Sequence, residues 1–99
     1  MNDKLGQEIK VGDIIVYGHA LDRSAALRVG KVTALLEKPD EYYKDRTAYR
    51  ITVQGIEDGW PGDEPKLTDR KGTLLFPDRI IVLSNDIIPD KYWKLLLGV

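Results

Sequence analysis

The chain has no cysteine, a single histidine and no long apolar run, and each of these scarcities excludes a class of protein. Without cysteine, its 99 residues can form no disulfide bond, no cysteine-ligated zinc site and no thiol nucleophile. No stretch approaches the ~18 consecutive apolar residues that a membrane-spanning helix needs. The first residues, MNDKLGQEIKVGD, show no apolar core followed by small residues, so no signal peptide is visible. We therefore expect a soluble protein of cytoplasmic location.

An excess of one charge is also missing. Lysine and arginine total 15 against 16 aspartate and glutamate, which leaves a net charge of −1. Proteins that bind nucleic acid mainly by electrostatic attraction usually carry a large positive excess. The balance argues against a protein whose whole surface binds nucleic acid, and it leaves a local basic patch open. With 42% hydrophobic residues, the chain can build a folded core.

Short β-prone runs alternate with connections rich in glycine, proline and charge. The first run, VGDIIVYG, has apolar residues on both faces, which predicts a strand that is covered on both sides. In the second run the apolar alternation changes phase at Gly30, as a β-bulge would make it do. The pattern predicts loops at about 18–26, 38–47 and 56–72. The predicted strands cover about residues 11–18, 26–37, 48–55, 73–76 and 79–83.

The last residues change from a period of two to a helical period. Tyr92 and Leu96 lie four residues apart, as do Trp93 and Leu97. Pro89 suits a first helical position and Gly98 suits a helix end. This predicts a helix of about two turns over 89–97, packed through its aromatic side chains. The fold class that follows for residues 1–99 is a mainly β single domain: a small, five-stranded, strongly bent barrel with a short C-terminal helix.

About half of the chain resembles SH3-like barrels of the KOW and Tudor type. In those families a Gly-Asp pair leads into a hydrophobic strand, and a Gly-Lys-Val triplet marks the second strand. The later GTLLFPDRIIVL is similar to the last two strands of small β-barrel proteins encoded by bacteriophages. The resemblance implies an SH3-like barrel, a fold that binds RNA, DNA, peptides or proteins. The matching residues here are Gly12, Asp13, Ile14, Val16, Gly30, Lys31 and Val32.

No constellation of residues predicts catalysis, a metal site or a cofactor. His19 has Asp22 and Ser24 close by in sequence, but a catalytic triad is normally assembled from separated segments. The acidic stretch from Glu57 to Glu64 lacks the alternating Asp-x-Asp spacing that aims oxygen ligands at calcium. We therefore expect a non-enzymatic interaction module.

Aromatic and basic residues in the connections predict a protein-binding surface. Tyrosine, tryptophan and arginine are the side chains that protein interfaces favour. The predicted barrel brings the loops at 18–26 and 38–47 together at one end. Trp60, between Gly59 and Pro61, either covers the core or stands exposed as an interface anchor. The predicted protein-binding residues are Tyr42, Tyr43, Arg23, Arg46 and Trp60.

Nucleic acid is the alternative partner, bound through a basic strand surface. The hypothesis requires that no carboxylate lies between Arg28, Lys31 and Arg50 if these share a surface. A virion or scaffold component is a third interpretation, which self-assembly would reveal. The near-neutral charge favours a protein partner, and the oligomeric state stays open. The candidate nucleic-acid-binding residues are Arg28, Lys31, Arg50, Arg70 and Lys71.

Overall fold

In the residues that the computed structural model describes, six antiparallel strands form one sheet, and a short helix packs on it. Those residues are 1–21, 24–58 and 64–99. The elements are β1 (Ile14–Leu21), β2 (Ser24–Pro39), β3 (Thr47–Glu57), β4 (Lys66–Leu67), β5 (Gly72–Leu74), β6 (Ile80–Val82) and α1 (Asp90–Leu96). The strands pair in the order β4-β3-β2-β1-β6, and β5 also pairs with β3. Turns of 3-10 helix lie at Pro77–Arg79 and Asn85–Ile87.

The mainly β architecture and the short C-terminal helix are confirmed, whereas the expected five-stranded, strongly bent barrel is replaced by an open sheet with six described strands. The sixth strand, β4, lies inside the predicted 56–72 loop and pairs with Ile56 and Glu57. Among the described strands β5 pairs with β3 and β6 pairs with β1, and no pairing joins β5 to β6. Each of the two is only three residues long, and the 3-10 turn at Pro77–Arg79 separates them. The sheet is therefore bent but open.

The predicted loop at 18–26 is a β-hairpin instead. β1 continues to Leu21, which pairs with Ser24, and the ladder includes Gly18 opposite Leu27. This end of the hairpin extends past the last residue of β1 that pairs with β6. In the described part of the chain, no third strand pairs with this end of the hairpin, and it covers no hydrophobic cluster. Its residues therefore need not alternate between apolar and polar, and the sequence does not show the pattern that predicts a strand. The start of β1 also differs from the prediction, because Gly12 has a φ of 97° in the preceding turn and the strand begins only at Ile14.

The two faces of the sheet carry separate hydrophobic clusters. Ile15 is buried with Tyr17 and Ile51 on the first face, while its neighbour Ile14 is buried on the second face. This confirms that β1 is covered on both sides. On the second face the cover is α1, whose Leu96 is fully buried. Trp93 packs there as well, but Leu97 is 75% exposed, so the expected Trp93–Leu97 face is wrong.

Gly30 provides space rather than a bulge. It pairs in regular register with Ile15 and with Gly55, and the register shifts only between Val32 and Ala34. A Cβ atom on Gly30 would lie 2.8 Å from the backbone oxygen of Gln54. A Cβ atom on Gly55 would collide with the phenol oxygen of Tyr17. The paired glycines thus let the two strands and the Tyr17 ring approach closely.

The N-terminal segment covers the outer edge of β6. The buried carboxylate of Asp3 accepts hydrogen bonds from the backbone N–H of Leu5 (2.9 Å), Gln7 (2.8 Å) and Val82 (2.7 Å). The N–H of Lys4 donates to the carbonyl oxygen of Ile80 at 2.9 Å. Burial raises the pKa of Asp3, but the hydrogen bonds from Val82, Gln7 and Leu5 outweigh it and hold the pKa below its usual value. The edge strand is therefore paired on both sides.

Candidate functional site

The connection between β2 and β3, residues 40–46, is a loop whose backbone is fixed by its own hydrogen bonds; we call it the tyrosine loop. Oδ1 of Asp40 accepts the N–H groups of Tyr42 (2.8 Å) and Tyr43 (3.0 Å). The N–H of Arg46 donates to the carbonyl oxygen of Tyr43 at 2.9 Å. The hydrogen bonds from Tyr43 and Tyr42 also lower the pKa of the Asp40 carboxyl. The sequence Asp-x-Tyr-Tyr thus folds locally into an Asx-type turn.

This turn holds two aromatic rings in solvent. Tyr42 is 89% exposed and Tyr43 is 58% exposed, and neither belongs to a hydrophobic cluster of the sheet. The guanidinium carbon of Arg46 lies 4.9 Å from the centre of the Tyr43 ring, within the range of a cation–π contact. An aromatic side chain on a fixed backbone loses little conformational entropy when it binds. Chemically, the tyrosine loop offers an apolar contact surface with hydroxyl and guanidinium donors beside it.

The structure does not bring the two predicted loops together. Ser24, where β2 begins, and the tyrosine loop lie at opposite ends of β2. β2 has 16 residues, and a strand of that length measures about 50 Å along its path. Arg23 itself lies outside the described residues, and so does Trp60. Of the predicted protein-binding residues, the structure places only Tyr42, Tyr43 and Arg46 together.

The predicted basic surface is not formed, because its members are divided between the two faces. Arg28 lies opposite Tyr17 on the first face, while Lys31 lies opposite Ile14 on the second. Arg50 pairs with Leu36 near the start of β3, far along the sheet from Arg28. The separation follows from the alternation of side chains along a strand, which sends residues three apart to opposite faces.

The individual cations also have partners within the chain. The guanidinium of Arg28 lies 3.7 Å from the Glu57 carboxylate, so the condition that no carboxylate should intervene is not met. Burial raises the pKa of Tyr17, and a hydrogen bond from Arg28 opposes that rise. Nζ of Lys31 donates to the backbone oxygen of Val99 at 2.9 Å, which ties β2 to the end of the helix. These contacts give Arg28 and Lys31 structural roles.

A concave surface that sequence reasoning missed lies on the first face, beside the β1–β2 hairpin. A groove of about 570 Å³ lies between Tyr17, His19 and Arg28 on one side and Arg70 and Leu74 on the other. Lys71 is not part of it and lines a separate hollow with Lys31. The groove's charges are mixed, since Glu57 and Asp69 also line it. His19, whose environment the sequence did not reveal, is thus a groove residue.

A second hollow, of about 260 Å³, adjoins the groove through Tyr17 and Leu74; we call it the Phe76 hollow. Leu75 and Phe76 line it and are 53% and 52% exposed. The sequence places both in a strand, but β5 ends at Leu74 and the chain turns away before Pro77. The signal that could have revealed them is Pro77, because a proline has no N–H to donate to a strand ladder and a paired strand tends to end before it.

Comparison with known families identifies the N-terminal part of the chain. Residues 1–60 match the sequence model of a family described as a domain of unknown function, DUF7205. The chain belongs to this family. Comparison with curated proteins and with solved structures gave no match. The resemblance to KOW, Tudor and bacteriophage barrels therefore stays a prediction.

The DUF7205 match covers β1, β2, β3 and the tyrosine loop. The opposite wall of the groove, with Arg70 and Leu74, lies beyond it, as does the side of the Phe76 hollow that Leu75 and Phe76 form. Yet Ile80 of β6 is buried in the same cluster as Ile15 and Ile51. The matched strands therefore rely on later residues to complete their core.

Two further findings concern chemistry and membranes. Among residues 1–21, 24–58 and 64–99, no group of three histidine, aspartate or glutamate side chains is placed to hold a metal ion. Within the same ranges, no helix has both the length and the apolar character needed to cross a bilayer.

Proposed function

We propose that the chain is a non-enzymatic interaction module that binds a protein through the tyrosine loop. The observation that carries the proposal is the 89% exposure of Tyr42 on a turn that Asp40 fixes. An exposed aromatic ring on a mobile loop would lose entropy on binding, whereas this backbone is already ordered by its own hydrogen bonds. Tyrosine and arginine are also the residue types that dominate interface energetics.

The charges around the tyrosine loop favour a protein over nucleic acid. Between residues 38 and 46, Lys38, Lys44 and Arg46 are balanced by three acids, Asp40, Glu41 and Asp45. A phosphate backbone needs a continuous positive track, and adjacent carboxylates would repel it. The other basic residues are divided between the two faces, with Arg28 and Lys31 already engaged. A surface of mixed charge with exposed tyrosines suits a protein interface.

We further infer that the open sheet is SH3-like. Two observations support this. The first strand of the sheet, β1, pairs with the last, β6, and β5 flanks the opposite edge. One missing pairing, between β5 and β6, separates this arrangement from a closed five-stranded barrel, with β4 as an addition to β3.

The tyrosine loop can be tested with a double variant, Tyr42→Ala with Tyr43→Ala. Affinity capture from a lysate of the source organism, with and without nuclease, should recover a protein partner that the double variant loses at least tenfold. Because neither ring packs on the core, the free energy of unfolding should change by less than about 0.5 kcal/mol. Ile87→Ala, an exposed apolar substitution in the 3-10 turn at Asn85–Ile87, is the control and should capture the partner normally.

The opposite results would contradict the proposal in distinguishable ways. Recovery that disappears with nuclease would indicate nucleic acid. The affinity should then also fall steeply between about 50 and 200 mM salt, because binding through several phosphates weakens strongly as salt rises. Full capture by the double variant would remove the tyrosine loop from the interface. Concentration-dependent assembly of the chain alone would favour a virion or scaffold component.

A further inference from the structure

The β1–β2 hairpin extends beyond the rest of the sheet. β6 pairs with β1 only from Ile15 to Tyr17, and β3 pairs with β2 only from Gly30 onward. We call the remaining two-stranded part, residues 18–21 and 24–29, the arm. In the described part of the chain no strand lies against the outer edge of β1 in the arm. An unpaired edge is a template for a further strand.

The hydrogen bonds of β1 identify which backbone groups face outward. The N–H of Leu83 donates to the carbonyl oxygen of Ile14 at 2.8 Å, and Val16 lies opposite Ile81 of β6. Because alternate residues of an antiparallel strand direct their N–H and C=O groups to the same side, Gly18 and Ala20 point the same way. β6 begins at Ile80, opposite Tyr17, and this pairing directs the N–H of Gly18 to the carbonyl oxygen of Arg79. The described strands leave the carbonyl oxygen of Gly18 and both backbone groups of Ala20 without a partner strand on that edge.

The Phe76 hollow lies where this edge begins. Gly18 and Tyr17 form one side of it, and Leu74, Leu75 and Phe76 form the other. The guanidinium carbon of Arg79, which also lines it, lies 4.5 Å from the centre of the Phe76 ring. Among the described residues that line the hollow, none carries a carboxylate. It therefore suits a bulky apolar side chain with a negative charge close by.

We propose that an extended segment of a partner protein adds to the outer edge of β1 as a new strand. Its backbone bonds to the carbonyl oxygen of Gly18 and to both backbone groups of Ala20, one apolar side chain fills the Phe76 hollow, and a neighbouring carboxylate meets Arg79. Strand addition of this kind obtains affinity from main-chain hydrogen bonds and specificity from pockets for alternate side chains. The arm lies at the opposite end of β2 from the tyrosine loop, so this site does not depend on the function proposed above.

The probe is a displayed library of random twelve-residue peptides, selected on the full chain. We expect selected peptides to share a bulky apolar residue and an acidic residue in an extended pattern without proline. The strongest peptide is then synthesised and its Kd measured. Ala20→Pro removes an outward N–H from the β1 edge and should weaken binding at least tenfold. Ala25→Pro, the matched control, sits directly opposite Ala20 and alters only the other edge of the arm, so it should change Kd less than twofold.

Two further measurements keep the proposal testable if a proline variant unfolds. Methylation of alternate peptide nitrogens should abolish binding, and the bound peptide should slow amide exchange at Ala20. Loss with Ala25→Pro but not Ala20→Pro, binding that needs Tyr42, or failure to select any peptide would overturn the proposal. So would dimerisation of the chain that Ala20→Pro abolishes, because the occupant would then be a second copy.

Discussion

The two faces of the sheet are covered by segments of opposite character. On the first face the N-terminal segment has no regular structure, and it is held by the Asp3 hydrogen bonds and by the buried side chain of Ile9. On the second face the cover is α1, a seven-residue helix whose fully buried Leu96 anchors it. Polar contacts hold it at its margins, where Lys31 reaches the backbone oxygen of Val99 and Tyr92 reaches Asp58.

The difference shows how a small chain obtains two hydrophobic clusters from one sheet. Buried residues of the first cluster come mainly from the strands themselves, with Ile9 added. Half of the buried residues of the second cluster, Ile88 and Leu96, come from the tail. Isolated helices of this length are marginal in water, so α1 depends on that packing. The first face should therefore control global stability, and the second face should loosen locally.

The largest effects should come from truncating the anchor of each cover. Ile9→Ala and Leu96→Ala each remove a buried aliphatic side chain. Each substitution should weaken the packing of its own segment on the sheet by about 3 kcal/mol of free energy. Ile9→Ala should lower the free energy of global unfolding, measured by urea denaturation. Leu96→Ala should instead release α1, so that amide exchange accelerates in residues 90–96 while β1, β2 and β3 stay protected.

The exposed neighbour of Leu96 provides the control for this pair. Leu97→Ala should change neither measurement, because Leu97 is largely exposed. If Leu96→Ala accelerated exchange throughout the sheet by as much as Ile9→Ala does, the two covers would belong to one cooperative unit and the comparison would fail.

A smaller effect is expected from Asp3→Asn, which tests the polar attachment of the first cover. The amide that replaces Oδ2 would face the N–H of Val82 and the side-chain amide of Gln7, both donors. An unsatisfied buried donor costs about 2 kcal/mol. The folded-state pKa of Asp3 is lowered, so its contribution to stability is fully present above the usual pKa of 3.8 and is lost as pH falls through the folded value.

Urea denaturation between pH 7 and pH 2 measures this contribution. The parent chain and Asp3→Asn should differ at pH 7 and converge as Asp3 becomes protonated. Asp78→Asn, at an exposed carboxylate, should follow the parent curve throughout. A constant difference down to pH 2 would show that charge on Asp3 does not stabilise the segment.

The elements that pack on a hydrophobic core could be predicted, because burial requires a regular spacing of apolar residues along the sequence. The elements that pack on no core lack this spacing and were missed. Ile14 and Ile15 predicted a strand with two buried faces, and the spacing of Tyr92 and Leu96 predicted the packed helix. The arm carries small residues such as Gly18 and Ala25, which an extended ribbon tolerates but which also occur in loops. Gly30 interrupts the alternation of apolar residues in β2 because the strand comes close to Gly55 of β3 at this point. Such a contact joins residues that are distant in sequence, so the local sequence pattern does not reveal it.

The candidate sites divide in the same way. Tyr42, Tyr43 and Arg46 could be predicted because they lie in one short loop, and local chemistry places them together. The Phe76 hollow combines Gly18 with Leu75 and Arg79, which only the pairing of β1 with β6 brings near each other. The candidate basic residues do not share one patch for a related reason: Arg28 and Lys31 are close in sequence, but they face opposite sides of the sheet.

The smallest effect should come from Tyr92→Phe, which tests the polar margin of the helical cover. The Tyr92 hydroxyl donates to the Asp58 carboxylate, and this hydrogen bond raises the pKa of Tyr92 to about 12. Because the bond is open to solvent, its removal should cost only about 0.5 kcal/mol. The pKa is raised, so the contribution is fully present below pH 10 and is lost as pH rises through about 12. Alkaline titration followed by tyrosinate absorbance should lose one late-titrating group in Tyr92→Phe, and Tyr42→Phe, which keeps the Tyr92 hydroxyl, is the control. If Tyr92→Phe left the late groups unchanged, Asp58 would not hold the helix in solution, and α1 would be attached by packing and Lys31 alone.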